Sequence, residues 1–160
     1  MAEVKNSGKK REFGTGAHRD SAENKGRCDL LPLGVATEFL GSDTLRCIYS
    51  FTITLNETSL YQALDCFVNE FGYSKEQLLL DVAKHYEAGA KVYGENNWKK
   101  GIPLHVFIDS GIRHYLKCRK GDIDERHDCA FVWNLFGAIW TFQHLPEMND
   151  ITPDITVKIA

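Results

Sequence analysis

The pattern of apolar and polar positions changes twice along the chain. Residues 13–34 are rich in glycine and charged side chains without any periodicity, which predicts a surface loop. From Leu45 to Leu55 apolar residues occupy every second position, which predicts a half-buried β-strand. The C-terminal residues 155–160, ITVKIA, alternate in the same way. Because one strand needs a partner, either these two segments pair with each other or the partner strand comes from another subunit.

Apolar residues at helical spacing follow the first predicted strand. Ser59 with Gln62, and Ser74 with Gln77, have the spacing of a capping box, which predicts that a helix begins at each serine. The spacing predicts four helices, over about residues 59–71, 74–93, 103–120 and 125–145. We therefore expect a mainly α fold, a helical bundle with a small antiparallel β element near residues 45–55.

Length and composition indicate a single globular domain. A chain of 160 residues can bury a hydrophobic core without disulfide or metal cross-links. We expect a disordered basic tail over residues 1–12 before one domain over residues 13–160. The formal net charge of −3 argues against a nucleic-acid or membrane surface. No segment has the roughly 20 apolar residues of a membrane span, and the five scattered cysteines contain no CxxC pair, so we expect an intracellular protein with free thiols.

Carboxylates cluster at the start of the last predicted helix. Asp122, Asp124, Glu125 and Asp128 surround His127, and the spacing of Asp124 and Asp128 brings them to one helix face. Such carboxylates repel one another unless a cation lies between them, which favours a hard divalent metal. The alternative is that acidic residues in a first helical turn only complement the helix dipole.

Other polar residues have two interpretations each. Glu87 either pairs with Lys91 on a helix surface or supplies a metal ligand from a facing helix. Arg113 has Asp109 one turn earlier, which predicts a surface salt bridge. Asn134 lies in an otherwise apolar helix, so its amide needs buried partners. Trp98 either fills the core or stacks on a base.

Three stretches occur in order between Gly14 and Asn134: GTGAHRDSAENKGRCDLLPL, HYEAGAKVYGENNWKKGIP and SGIRHYLKCRKGDIDERHDCAFVWN. Together they resemble a phage and prophage family described as dATP/dGTP diphosphohydrolases, related to MazG-like all-α nucleotide pyrophosphohydrolases. Residues of about 37–73 interrupt the resemblance as an insertion. The resemblance implies a helical homo-oligomer, dimeric or larger, in the cytoplasm (the host cytoplasm if phage-encoded). It implies metal-dependent hydrolysis of a purine deoxynucleoside triphosphate to the monophosphate and pyrophosphate, with Mg²⁺ or Mn²⁺.

Carried over residue by residue, the resemblance assigns roles to this sequence. The expected metal ligands are Glu87, Asp122, Asp124, Glu125 and Asp128. Glu87 and Glu125 are the expected catalytic carboxylates, one of which would accept the proton of the attacking water. The residues expected to contact phosphate, sugar or base are Arg19, Lys25, Lys91, Tyr93, Asn97, Trp98, Lys99, Arg113, His114, His127 and Asn134. Asp20 and Asp29 match the polar motif of the N-terminal loop, which we expect to lie across the pocket.

The chain departs from the related enzymes at one position that bears on catalysis. MazG-like enzymes generally carry two glutamates three residues apart on the first metal-binding helix, whereas Glu87 has Lys84 and Ala90 at those offsets. The alternative function is therefore a non-catalytic phage protein that sequesters a nucleotide-derived defence signal, cyclic or of ADP-ribose type. A third hypothesis is an assembly protein whose strand mediates oligomerisation.

Overall fold

The computed structural model describes residues 4–153, which form six α-helices and one two-stranded sheet. The helices are α1 (Leu33–Leu40), α2 (Asp43–Thr54), α3 (Thr58–Phe71), α4 (Lys75–Tyr93), α5 (Leu104–Lys120) and α6 (His127–His144). The strands β1 (Lys10–Glu12) and β2 (His18–Asp20) pair antiparallel, with Arg11 opposite Arg19. Short 3₁₀ turns occupy Cys28–Leu30, Asn97–Lys100 and Pro146–Met148. The prediction of a mainly α fold with a small antiparallel sheet is confirmed.

The predicted strand over residues 45–55 is wrong, because this segment forms helix α2. Its buried side chains include Leu45, Ile48 and Phe51, which are three residues apart and lie on one helix face. The Ser42 hydroxyl caps the helix by accepting a hydrogen bond from the Leu45 amide at 3.0 Å. The alternation in the sequence is compatible with both periods, and the cap and the three-residue spacing decide for the helix. The predicted C-terminal strand lies outside the described residues.

The predicted helix boundaries hold best where a cap residue is present. The Ser74 hydroxyl accepts a hydrogen bond from the Gln77 amide at 3.2 Å, so the predicted start of α4 is confirmed. Helix α3 begins one residue before Ser59, whose hydroxyl lies 3.3 Å from that of Ser50 on α2. The capping box predicted at Ser59 is therefore wrong, since this hydroxyl contacts the neighbouring helix instead.

Helices α5 and α6 form the centre of the molecule and pack more extensively on each other than any other pair. Glycines allow this close approach. A Cβ atom on Gly137 would lie 2.3 Å from the Phe107 ring, and one on Gly111 would lie 3.0 Å from Leu135. Phe131 of α6 continues the core toward α3, where its ring centroid lies 4.3 Å from that of Phe67.

The segment expected as an insertion, residues 37–73, packs into this core. The Tyr115 hydroxyl of α5 lies 2.7 Å from Glu70 Oε2 of α3 and 2.5 Å from the Ser42 hydroxyl before α2. Arg119 adds an ion pair to Glu70 at 2.8 Å. Strand β1 begins at Lys10, inside the segment expected as a disordered tail. No helix in residues 4–153 is long and apolar enough to span a membrane.

Candidate active site

A cleft of about 820 Å³ lies between the N-terminal segment and helices α4, α5 and α6. Its size is that of a cavity for a nucleotide-sized ligand. Ten of the predicted site residues line it: Arg19, Lys25, Glu87, Tyr93, Asn97, Trp98, Arg113, His114, Glu125 and Asn134. The predicted residues Lys91, Lys99, Asp122, Asp124, His127 and Asp128 are not among the residues that line it. The structure therefore brings together the N-terminal loop, the segment after α4 and the α5–α6 turn.

Arg19 reaches into the cleft from strand β2 and has little to neutralise its charge. Its Nη1 donates to Asn134 Oδ1 at 3.0 Å, and its guanidinium lies 5.0 Å from the Trp133 ring centroid. Within residues 4–153, no carboxylate oxygen lies within 4.0 Å of an Arg19 nitrogen, whereas burial lowers the pKa of Arg19 to about 10. The Asn134 amide, whose partners the sequence left open, also donates to Ala130 O at 2.8 Å.

Arg113, in contrast, is neutralised by its own helix. Its Nη2 contacts both carboxylate oxygens of Asp109 at 2.7 Å and donates to Gly26 O at 2.6 Å. The predicted partner is confirmed, but the pair is buried and not on the surface. Asp109 also accepts from the Cys28 amide at 2.7 Å. This pair therefore ties the N-terminal loop to α5, and Arg113 has less charge to offer a ligand than Arg19.

Asn97 and Trp98 position the loop that follows α4. The Asn97 side chain is buried, accepts from the His18 amide at 2.8 Å and donates to His18 O at 2.7 Å. The Trp98 ring makes edge contacts with Tyr86 and Trp140, at centroid distances of 5.9 and 5.0 Å. Both side chains hold the cleft wall in place. Trp98 packs against other aromatic rings, and it also lines the cleft.

Two histidines and one glutamate converge where α5, the connecting turn and the start of α6 meet. His114 Nδ1 lies 2.9 Å from His127 Nδ1, and Glu125 Oε1 lies 3.8 and 3.4 Å from these two atoms. The side chains of Glu125 and His127 are only 10% and 1% exposed. Burial, followed by the charge of His127, holds the pKa of His114 well below its usual value, which favours the neutral imidazole.

Two groups of side chains in the described part of the chain have the proximity needed to hold a metal ion. The first is His114, Glu125 and His127, and the second is Asp122, Asp124 and His127. Asp124 also pairs with Lys5 and lies 2.6 Å from His127 Nε2. The hydrogen bond from Lys5 and then that from His127 lower the pKa of Asp124.

Two other predicted carboxylates lie apart from these groups. Asp128 accepts two hydrogen bonds at 3.0 Å from Arg126, and it also accepts from the Cys129 amide at 2.8 Å. Glu87 lines the cleft, but its side chain is 69% exposed and its oxygen lies 3.9 Å from the Lys91 ammonium. The predicted surface pair with Lys91 is therefore present, and Glu87 and Asp128 belong to neither group within residues 4–153.

Of the remaining predicted residues, Lys25 and Tyr93 line the cleft, whereas Asp29 and Lys99 are not among the residues that line it. Lys25 pairs with Asp20 at 3.0 Å, and Asp29 pairs with Arg27 at 2.7 Å. The Tyr93 ring lies 5.8 Å from the Lys10 ammonium, and burial raises the pKa of its hydroxyl. The Lys99 ammonium lies over the Trp98 ring, 5.2 Å from the ring centroid. Of these contacts, only those of Lys25 and Tyr93 therefore belong to the cleft wall in the described residues.

The sequence interpretation missed His85, which also lines the cleft. Burial lowers the pKa of His85 to about 4, so its imidazole is neutral at physiological pH. The available signal was helical spacing, because His85 follows the buried Leu78 and Val82 on the same face of α4.

Comparison with known proteins adds one finding to this geometry. Neither the curated proteins nor the solved structures contain a match to the chain. A family model described as dATP/dGTP diphosphohydrolase, N-terminal, matches residues 72–151. The match begins after α3 and spans α4, α5 and α6, and thus Glu87, the α5–α6 turn and Asn134. The chain therefore belongs to the dATP/dGTP diphosphohydrolase N-terminal family.

Proposed function

We propose that this protein hydrolyses a purine deoxynucleoside triphosphate to the monophosphate and pyrophosphate, with a divalent metal ion. The description of its family supports this reaction, and the cleft offers suitable chemistry for it. The observation that carries the proposal is the Arg19 guanidinium, which faces the cleft without a carboxylate partner in residues 4–153. A half-buried cation of this kind needs an anion, and a triphosphate supplies one.

The proposed reaction transfers a phosphoryl group to water. The water oxygen forms a bond to the α-phosphorus while the bond from that phosphorus to the oxygen bridging to the β-phosphate breaks, and pyrophosphate leaves. Arg19 would bind the phosphates through its two-nitrogen fork. Glu87 would accept the proton of the water, since its exposed carboxylate lines the cleft and is only loosely paired.

The donor atoms on the α5–α6 side fit a divalent ion. His114, Glu125 and His127 would hold it, because two neutral imidazoles and one carboxylate are common ligands of such ions. When bound, the ion neutralises phosphate charge and stabilises the departing pyrophosphate. The resemblance of the sequence implies Mg²⁺ or Mn²⁺. Asp122 and Asp124 lie beside His127, close to the proposed ion.

The direct test is to incubate the protein with each deoxynucleoside triphosphate and, in turn, Mg²⁺, Mn²⁺, Zn²⁺ or Co²⁺. We expect release of equal amounts of monophosphate and pyrophosphate, fastest with dATP or dGTP. In ¹⁸O-labelled water the label should appear in the monophosphate, because the α-phosphorus is attacked. A preparation of the Glu125→Gln variant is the control for contaminating hydrolases. Absence of pyrophosphate release above that control with all four substrates would overturn the proposal.

A further inference from the structure

The three ligand atoms of His114, Glu125 and His127 lie at the separations of atoms around one small ion. The distances are 2.9 Å between the two Nδ1 atoms, and 3.8 and 3.4 Å from these atoms to Glu125 Oε1. A triangle with these three sides has a circumradius of about 2.0 Å, close to the usual length of a metal–nitrogen or metal–oxygen bond. A single point therefore lies at bonding distance from all three atoms.

The surroundings of His127 hold its ring in the form that a metal needs. His127 Nε2 lies 2.6 Å from the carboxylate oxygen Asp124 Oδ1, so this nitrogen donates its hydrogen to Asp124. In the neutral imidazole the lone pair is then on Nδ1, the atom that faces His114 and Glu125. A carboxylate that orients a histidine in this way is a common feature of metal sites.

His114 completes the arrangement from α5. Without an ion, its Nδ1 would donate to the lone pair of His127 Nδ1. When an ion binds, that proton moves to the Nε2 atom of the same ring, so both Nδ1 lone pairs face the ion without a change in net charge. The Glu125 side chain is 10% exposed. In residues 4–153, these two histidines are the only basic residues with a side-chain nitrogen within 4.0 Å of its carboxylate. An ion would therefore also neutralise a buried carboxylate.

We infer that this site is selective for a transition-metal ion over Mg²⁺. Two of its three donor atoms are imidazole nitrogens, which suit Zn²⁺, Fe²⁺ or Co²⁺, whereas Mg²⁺ prefers a shell of oxygen atoms. Mn²⁺ is intermediate in its ligand preference. We therefore expect the site to bind Mn²⁺ more tightly than Mg²⁺, the two ions that the sequence resemblance implies. The inference rests on the proposed function only for the role of the ion, because selectivity is a property of the metal-free protein.

The test measures metal binding by the metal-free protein, without nucleotide. Co²⁺ is added and its visible absorption followed, and Zn²⁺, Mn²⁺ and Mg²⁺ are then used as competitors. We expect one Co²⁺ per chain with nitrogen-type ligand-field bands, displaced by Zn²⁺ and at least ~100-fold less effectively by Mg²⁺. Competition by Mg²⁺ at the same concentration as Zn²⁺, or spectra of an all-oxygen shell, would overturn the inference.

Variants locate the ion. His114→Gln and Glu125→Gln should each weaken Co²⁺ binding by at least ~10-fold to 100-fold, with far-ultraviolet circular dichroism used to verify that both fold. His105→Gln is the matched control, since His105 also contacts a carboxylate, Asp150, but lies outside the site. Equal Co²⁺ affinity in wild type and in both site variants would place the ion elsewhere and refute the inference.

The outcome is separable from that of the proposed function. Hydrolysis of a nucleotide without selective Co²⁺ binding would refute the selectivity and keep the reaction. Selective Co²⁺ binding without hydrolysis under any metal would keep the site and overturn the reaction.

Discussion

Glu87 and Glu125 line the same cleft but have opposite surroundings. Glu87 on α4 is exposed and has a lysine at 3.9 Å, whereas the Glu125 side chain before α6 is only 10% exposed and lies beside two imidazoles. An exposed carboxylate is solvated by water and needs no partner, but a buried one is costly unless a cation or hydrogen-bond donors compensate it. We therefore expect burial, and not the number of acidic residues in a segment, to separate a carboxylate that holds an ion from one that exchanges protons with solvent.

Exchange of each glutamate for glutamine is the strongest test of this comparison. Glu125→Gln should lower both Co²⁺ affinity and triphosphate hydrolysis by at least ~100-fold, because it removes a metal ligand. Glu87→Gln should lower hydrolysis by ~10²-fold or more through loss of the proton acceptor, but leave Co²⁺ affinity unchanged. The measurements are metal titration and pyrophosphate release. If Glu87→Gln also lost Co²⁺ binding, the two carboxylates would share one ion and the contrast would fail.

A pair of cations extends the comparison to substrate binding. Arg19→Ala should raise the KM for the triphosphate ~10-fold to 100-fold, since a desolvated charge-assisted contact is lost. Lys91→Ala should change KM by less than ~3-fold, because the Lys91 side chain is 77% exposed and its charge is screened. Steady-state kinetics at fixed metal concentration measure both. Equal effects from the two substitutions would show that burial does not select the phosphate contact.

Two glycine-to-alanine substitutions compare the closely packed helix α6 with the open surface of helix α4. Gly137→Ala in α6 should lower the free energy of unfolding by ~1–3 kcal/mol, because the new Cβ would lie 2.3 Å from the Phe107 ring. Gly89→Ala in α4 should raise it by up to ~1 kcal/mol, since the new Cβ would meet nothing within 4 Å beyond the nearby backbone of its own helix and alanine favours the helix. Denaturant unfolding checks both. Stabilisation by Gly137→Ala would contradict the close approach of α5 and α6.

His85 provides the smallest expected effect, on the inner face of α4. Its pKa of about 4 in the folded state lies below the ordinary 6.5, so between these values the unfolded chain binds one more proton. Stability should therefore fall as the pH drops from 6.5 toward 4, and this loss should be smaller in His85→Gln by on the order of 1–2 kcal/mol. Unfolding by urea at pH 7 and pH 4.5 measures the difference. Identical pH dependence in both proteins would show that His85 is not desolvated.

The helical part of the fold could be predicted from the sequence wherever a local cap agreed with the spacing. The start of α4 at Ser74 and its end before Gly94 are of this kind. The segment 45–55 failed because its apolar residues satisfy two periods, and the deciding cap, Ser42, lies outside the alternating stretch. The position of the small sheet was not predicted, because three-residue strands have no measurable periodicity.

The sequence could predict many of the polar residues that line the cleft, but few of the contacts that they make. The motif resemblance selected ten residues that line the cleft. It could not show that the Arg113–Asp109 pair is buried, that Arg126 engages Asp128, or that two histidines face Glu125. These facts depend on side-chain contacts between α5, the turn and α6, which spacing along one helix does not determine.

The Asn97 side chain pairs with both backbone groups of His18, as a neighbouring strand would. The length of that side chain thus fixes the distance between the loop after α4 and the outer edge of β2. A glutamine there would be one methylene too long, and an aspartate could accept but not donate. The two segments that carry Trp98 and Arg19 are therefore held in register as one unit, so an opening of the cleft that separates them must first break this amide clamp.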